Sequence, residues 1–195
     1  MTTKSILIVG VGGQGVLLAS QVVSQVFKIE GYDVKVSEIH GMAQRGGSVH
    51  SMIRYGKKIY SPLVPQGEAD YILSFELLEA LRWIPYLSHK GKLIVNNQRI
   101  DPLPVAIGKQ EYPGDVIEEL ESIFTNLMVI EARDLAREAG NIRAANLVLV
   151  GALAQDIPIS KEIWNGVIRQ RVPPKTIEVN LKAFQLGLEW QSGAG

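Results

Sequence analysis

The sequence predicts an α/β fold: a three-layer sandwich around a mostly parallel sheet, with an added antiparallel hairpin. Three observations carry this. Apolar runs of strand length alternate along the chain with longer stretches whose apolar residues recur at helical spacing. The first such pair is joined by a glycine-rich turn, "GVGGQGV", beginning at Gly10. In "SVHSMIRYGKKIYSP", His50, Met52 and Arg54 alternate with Val49, Ser51, Ile53 and Tyr55, and Gly56-Lys57 then reads as the turn of a hairpin.

The elements follow in order. Residues 5–9 form an apolar run ending at glycine, as a strand buried on both faces does. Val16, Leu17, Ala19, Val22, Val23, Val26 and Phe27 recur at helical spacing, and "EGYD" closes that helix. "DVKVSEI" reads as a second strand, completing a βαβ unit. The hairpin is next, with its return strand in "KIYSP". "ADYILSF" is another buried strand, "ELLEALRWIPYL" a helix stopped near Pro85, and "GKLIVNN" a strand. Residues 101–114, rich in proline and glycine, read as an irregular connection. "DVIEELESIF" reads as helix, "LMVIEA" as strand and "ARDLAREAG" as helix. "RAANLVLVGALAQ" is apolar nearly all round and is therefore placed as a buried helix. Two more helices, near 160–171 and 176–190, have Ser160 and Thr176 as N-caps and are separated by Pro173-Pro174. No internal repeat or linker divides the chain, so residues 1–195 are expected to form one domain.

Composition narrows the function. Twenty basic residues balance twenty acidic ones, so no global field draws the chain to nucleic acid or to an anionic membrane. There is no cysteine, which removes disulfides, a thiol nucleophile and thiolate ligands for an iron–sulfur cluster. With only His40, His50 and His89, a histidine-based metal site is not expected either. The N-terminus lacks the features of a signal peptide, and no apolar stretch approaches the about 20 residues of a membrane span. The expected location is the cytoplasm.

Gly10, Gly12 and Gly15 satisfy the G-x-G-x-x-G dinucleotide fingerprint between a strand and a helix. Glycine there lets the chain approach a ligand closely and bares helix N-terminal amides to an anion. Glu38, at the end of the second strand, lies near the spacing of about 20 residues of a ribose-binding acid. Two features weigh against that use. Gly13-Gln14 places another glycine and a long amide within the turn, and Glu38 opens a second glycine-rich segment rather than a plain loop. That segment, "EIHGMAQRGGSVHSMIRYG", gathers Glu38, His40, Gln44, Arg45, Gly46, Gly47 and His50. Lying beside the first turn, it would make one polar ledge at the carboxyl ends of the strands.

"GVGGQGV" followed by "EIHGMAQRGGSVHSMIRYG" resembles the gamma subunits of 2-oxoacid:ferredoxin oxidoreductases, and most closely the gamma-type subunit of the indolepyruvate enzymes. The resemblance continues through "ADYILSFELLEALR", "GKLIVNN" and "RAANLVLVGALA", which is most of the chain. It implies oxidative decarboxylation of a 2-oxo acid with coenzyme A, giving an acyl-CoA, carbon dioxide and reduced ferredoxin. Indolepyruvate leads as substrate, with pyruvate and branched-chain oxo acids close behind. Thiamine diphosphate and the clusters would sit on partner subunits, in keeping with a chain that has no cysteine, and this subunit would be inactive alone. Gly10, Gly12, Gly13, Gln14 and Gly15 would face an anion such as a coenzyme A phosphate or a partner carboxylate. Glu38, His40, Gln44, Arg45, Gly46 and Gly47 would border the active site or contact a partner. No residue of this chain is assigned to catalysis and no metal is expected. Self-association of the isolated chain as a homodimer stays open.

Blander readings apply elsewhere. His50 is read as a hydrogen-bonding residue, His89 as a solvated turn, and Glu76 as a helix N-terminal acid favoured by the macrodipole. Trp83 and Trp164 are read as core or contact residues, while Trp190 is balanced between packing and partner contact. Asn96-Asn97-Gln98-Arg99 reads as a turn, and "RQRVPPK" as a solvated basic stretch. The rival function is a self-contained NAD(P)- or flavin-binding oxidoreductase.

Overall fold

A computed structural model of the chain describes residues 3–40 and 47–191. The elements, in chain order, are β1 (Lys4–Val11), α1 (Val16–Ile29), β2 (Asp33–His40), β3 (Ser48–Gly56), β4 (Ala69–Ser74), α2 (Leu77–Trp83), β5 (Leu87–Asn96), α3 (Leu103–Ala106), α4 (Val116–Ile123), β6 (Leu127–Ile130), α5 (Ala132–Ala139), α6 (Ala145–Ala154), α7 (Lys161–Arg171) and α8 (Ile177–Glu189). Six strands make one sheet in the order β2-β3-β1-β4-β5-β6. β1, β4, β5 and β6 are parallel, while β3 runs antiparallel to both β1 and β2.

The predicted sandwich is present, with two differences in the sheet. The antiparallel hairpin is β2–β3, not β3 with "KIYSP". Both edges of β3 are already hydrogen-bonded, by β1 and β2, so no edge remains for a return strand. The chain after Gly56 instead lies across β3, where Arg54 donates to the Leu63 carbonyl at 3.1 Å and Val64 N to Met52 Sδ at 3.4 Å. Consequently β2 does not pair with β1. The βαβ unit is real, but a strand has been inserted at its centre.

Two apolar layers close the sandwich. On one face Ile6, Ile8, Ile53, Leu73 and Ile94 meet Val22, Val26 and Phe27 of α1 and the buried faces of α5 to α8. On the other face Leu7, Val9, Ile72, Leu93 and Val95 meet Leu77 and Ala80 of α2 and Val116 and Leu120 of α4. Strands apolar on both sides, as in "SILIV", are what such a double layer requires. From Asn146 to Ala154 every residue of α6 is buried, as its all-round apolarity predicts. It crosses α8 where Gly151 and Gly187 meet: a Cβ on Gly151 would strike the Phe184 carbonyl, and one on Gly187 the Val148 carbonyl.

Helix ends follow the sequence in position more than in chemistry. Ser160 and Thr176 stand at the N-caps of α7 and α8, yet neither side chain closes the first turn. Thr176 Oγ1 donates back to the Pro173 carbonyl instead, at 2.9 Å. The connection at 101–114 contains the short helix α3, with Pro102 and Pro104 at its start, where a missing N–H costs nothing.

Candidate functional site

The site begins where β1 ends. Gly13 and Gly15 have φ of 99° and 87°, a left-handed backbone that only glycine adopts without strain. Gly10 is needed for space: a Cβ there would lie 2.9 Å from both Gln14 Oε1 and Phe75 Cβ. Not every amide of this turn faces outward. Gly12 N donates to the Gly47 carbonyl at 2.9 Å, which pins the exit of the second glycine segment to the first turn. The two motifs are thus joined by a backbone hydrogen bond, as a shared ledge requires.

Gln14 turns inward. Its Oε1 accepts from Val11 N at 2.7 Å, and its Nε2 donates to the Phe75 carbonyl at 2.8 Å and to Gln98 Oε1 at 3.2 Å. Buried Asn96 donates to the same Phe75 carbonyl and to Gln98 Oε1, while its Oδ1 accepts from Ala132 N. These amides tie together the carboxyl ends of β1, β4 and β5 and the start of α5. They hold the turn's shape, with Gln14 bracing it from within.

Above this network lies a cleft of about 340 Å³. Its lining includes Gly13, Gln14, Gly15, Asn96 and Gln98 together with Arg133, Arg143, Asn146 and Leu149. It sits at the carboxyl end of β1, from which α1 packs on one face of the sheet and, after β4, α2 on the other; that reversal is where α/β sheets open a crevice. No side chain caps the first turn of α1, so its positive end opens here. Among the described residues no acid lines the cleft, and neither arginine is ion-paired.

The other candidates are distributed differently. Glu38 is on β2, with β3 between it and β1, so about 10 Å of sheet separates it from the turn's strand. It faces α1, accepting from Ser20 Oγ at 3.2 Å, and borders a separate polar groove with Gln25 and Arg171. The inserted strand therefore removes it from a ribose-reading position. His40 pairs with Val49 at the end of β2, and Gly47 joins the turn through its carbonyl. Gln44, Arg45 and Gly46 lie outside the described residues.

His50 packs on Trp83 with ring centroids 4.1 Å apart, and burial pushes its pKa below the ordinary 6.5. Glu76 is the N-cap of α2: its carboxylate accepts from Glu79 N, Ile100 N and the Tyr112 hydroxyl. Ser74 Oγ donates to the Glu76 carbonyl rather than facing the cleft. His89 is exposed, Trp164 is buried in the core against Phe184, and Trp190 packs on the core of its own chain. The basic stretch is engaged locally, Arg169 with Glu178 and Arg171 with Gln25.

Sequence reasoning read Asn96 and Gln98 only as part of a turn, and passed over Arg133, Arg143 and Asn146. Asn146 carried a signal, as a polar residue inside an apolar helical run. The two arginines carried none, because only the fold brings α5 and the start of α6 to the glycine turn.

A family model for pyruvate ferredoxin/flavodoxin oxidoreductase matches residues 5–190. An indolepyruvate oxidoreductase subunit IorB from Thermococcus kodakarensis is 45% identical over 196 aligned positions, covering 97% of this chain and 96% of that one. The gamma subunit of a keto/oxoacid ferredoxin oxidoreductase from Geobacter sulfurreducens shares the fold, with TM-score 0.70, 24% identity and coverage of 95% and 96%. A 2-oxoglutarate:ferredoxin oxidoreductase from Magnetococcus marinus, solved with 2-oxoglutarate, coenzyme A and succinyl-CoA, has TM-score 0.72 and 18% identity. That match covers 96% of this chain and 31% of the longer one. The model match and the relative at 45% identity together establish that this chain belongs to the pyruvate ferredoxin/flavodoxin oxidoreductase family.

Proposed function

We propose that the chain is the small gamma-type subunit of a 2-oxoacid:ferredoxin oxidoreductase, acting on indolepyruvate or a related 2-oxo acid. The near full-length relationship to an indolepyruvate oxidoreductase subunit carries this reading. In the complex, thiamine diphosphate on a partner subunit supplies the carbanion chemistry of decarboxylation, and partner clusters pass the electrons to ferredoxin. This chain, without cysteine, offers no thiolate to a cluster. Its part is to complete the surroundings of the reaction: the ledge made by the glycine turn and Gly47 borders the partner, and the cleft beside Gly13 and Gly15 receives coenzyme A. A self-contained dinucleotide oxidoreductase finds no support, since Glu38 stands away from the turn and the Gly12 amide is spent on Gly47.

Reconstitution tests this. The thiamine- and cluster-bearing partner, assayed anaerobically for indolepyruvate-dependent ferredoxin reduction, is expected to gain acyl-CoA formation when this chain is added. Equal activity with and without the chain contradicts the proposal.

A further inference from the structure

We infer, resting on the subunit reading, that the segment from Ile100 to Tyr112 is a rigid docking arm. Its uncharged tip, Leu103 and Ile107, seats in an apolar pocket on the thiamine- and cluster-bearing partner chain. Leu103 is 71% exposed, and Ile107, one turn on and on the same side of α3, is 55% exposed. Neither joins the apolar layers of the sandwich, and no described helix or strand packs closely on α3. From Pro102 to Gly108 the sequence is "PLPVAIG", without a charge. A single exposed apolar side chain is ordinary, but two on one side of a projecting turn make a knob suited to another protein.

The arm is held firmly although its tip is bare. Within it Ile107 N donates to the Leu103 carbonyl at 3.1 Å and Lys109 N to the Pro104 carbonyl at 2.8 Å. Gly108, with φ of 72°, closes the turn. Both feet of the arm stand on one buried carboxylate. Glu76 Oε1 accepts from Ile100 N at 3.0 Å and from the Tyr112 hydroxyl at 2.9 Å. Arg99 lies over the Tyr112 ring at 4.1 Å and pairs with Asp101, so the charges at the arm's base are engaged locally. A knob fixed before binding gives up little conformational freedom on binding.

Area and position identify the occupant. Two side chains cover only a small part of the about 1,200–2,000 Å² that a specific interface buries, so arm against arm would not hold two copies of this chain together. The tip fits instead as one anchor within a broader contact. The arm leaves β5 just past Gln98, which lines the cleft, and so rises from the same carboxyl end of the sheet as the ledge of Gly12 and Gly47. One partner covering that end meets both. The absence of charge from Pro102 to Gly108 calls for an apolar pocket on that partner.

The partner chain, identified by bound thiamine diphosphate and iron–sulfur absorbance, is purified anaerobically and titrated calorimetrically with full-length wild-type chain and with Leu103→Ser/Ile107→Ser. The double variant is expected to bind about tenfold or more weakly. It is expected to keep the wild-type urea midpoint, because its tip lies outside both apolar layers. Ile29→Ser/Ile123→Ser alters two residues of comparable exposure, 49% and 57%, at the opposite end of the sheet, and is expected to bind as wild type does. Undiminished binding by the arm variant, an equal loss in the control pair, or a lowered midpoint for the arm variant overturns the docking arm. A homodimer of the isolated chain that the arm substitutions dissolve in sedimentation gives the tip to a second copy and overturns its assignment to the partner. A wild-type chain that does not bind the partner at all removes the subunit reading and the arm's role with it. Binding that is indifferent to the tip removes the arm alone.

Discussion

Gly15 has two constraints at one position, a left-handed φ of 87° and the Asn146 amide pressed over its Cα. Gly15→Ala is expected to cost about 1–2 kcal/mol in urea unfolding from backbone strain alone, with added loss as Asn146 is displaced. Glu76 concentrates more, since its carboxylate serves two backbone amides and a tyrosine hydroxyl while 1% exposed. Glu76→Ala is expected to lower stability by about 2–4 kcal/mol, read from the same unfolding curve. His50 gives a pH signature. Burial holds its folded pKa below 6.5, so at higher pH both folded and unfolded forms are neutral and it contributes nothing. As pH falls below 6.5 the unfolded chain takes up the proton first, and stability drops until the folded pKa is passed. His50→Gln should flatten that part of the stability–pH curve. At this scale the sequence was half legible. The glycines announced the turn, and Glu76 was read as a helix N-terminal acid though not as the cap it proves to be. Gln14 pointed inward against expectation, because its amide meets the Phe75 carbonyl just past β4, a contact that no local pattern reveals.

Among the elements, periodicity located most strands and helices but not their neighbours. β3 alternates visibly, yet nothing within "SVHSMIRYG" states that both its edges are taken. The insertion of β3 between β1 and β2 is a non-local choice, and it is the choice that carries Glu38 away from the turn. The α6–α8 crossing was equally hidden. All-round apolarity marked α6 as buried, but the role of Gly151 and Gly187 appears only where the two backbones meet. Because the obstructing atoms are backbone carbonyls, Gly187→Ala must push the helices apart. It is expected to cost about 1–3 kcal/mol, with a Tm lower by several degrees in calorimetry. A neutral substitution would mean the helices pack less closely than the structure has them.

For the whole molecule, the balanced charge argued against a nucleic-acid or anionic-membrane partner and the lack of cysteine against a cluster on this chain, while the paired glycine motifs pointed to the family. The cleft's two arginines were not readable as a pair, because they come from α5 and the turn before α6, more than a hundred residues from the glycine turn. None of the described helices is long and apolar enough to cross a membrane. The central claim is that this chain works as one subunit of a larger oxidoreductase, and copurification tests it most directly. The tagged chain is isolated anaerobically from its native host, and the material is assayed for thiamine diphosphate, iron–sulfur absorbance and 2-oxo acid-dependent ferredoxin reduction. The account predicts a companion subunit carrying all three. A chain that emerges alone with a nicotinamide or flavin bound would contradict it.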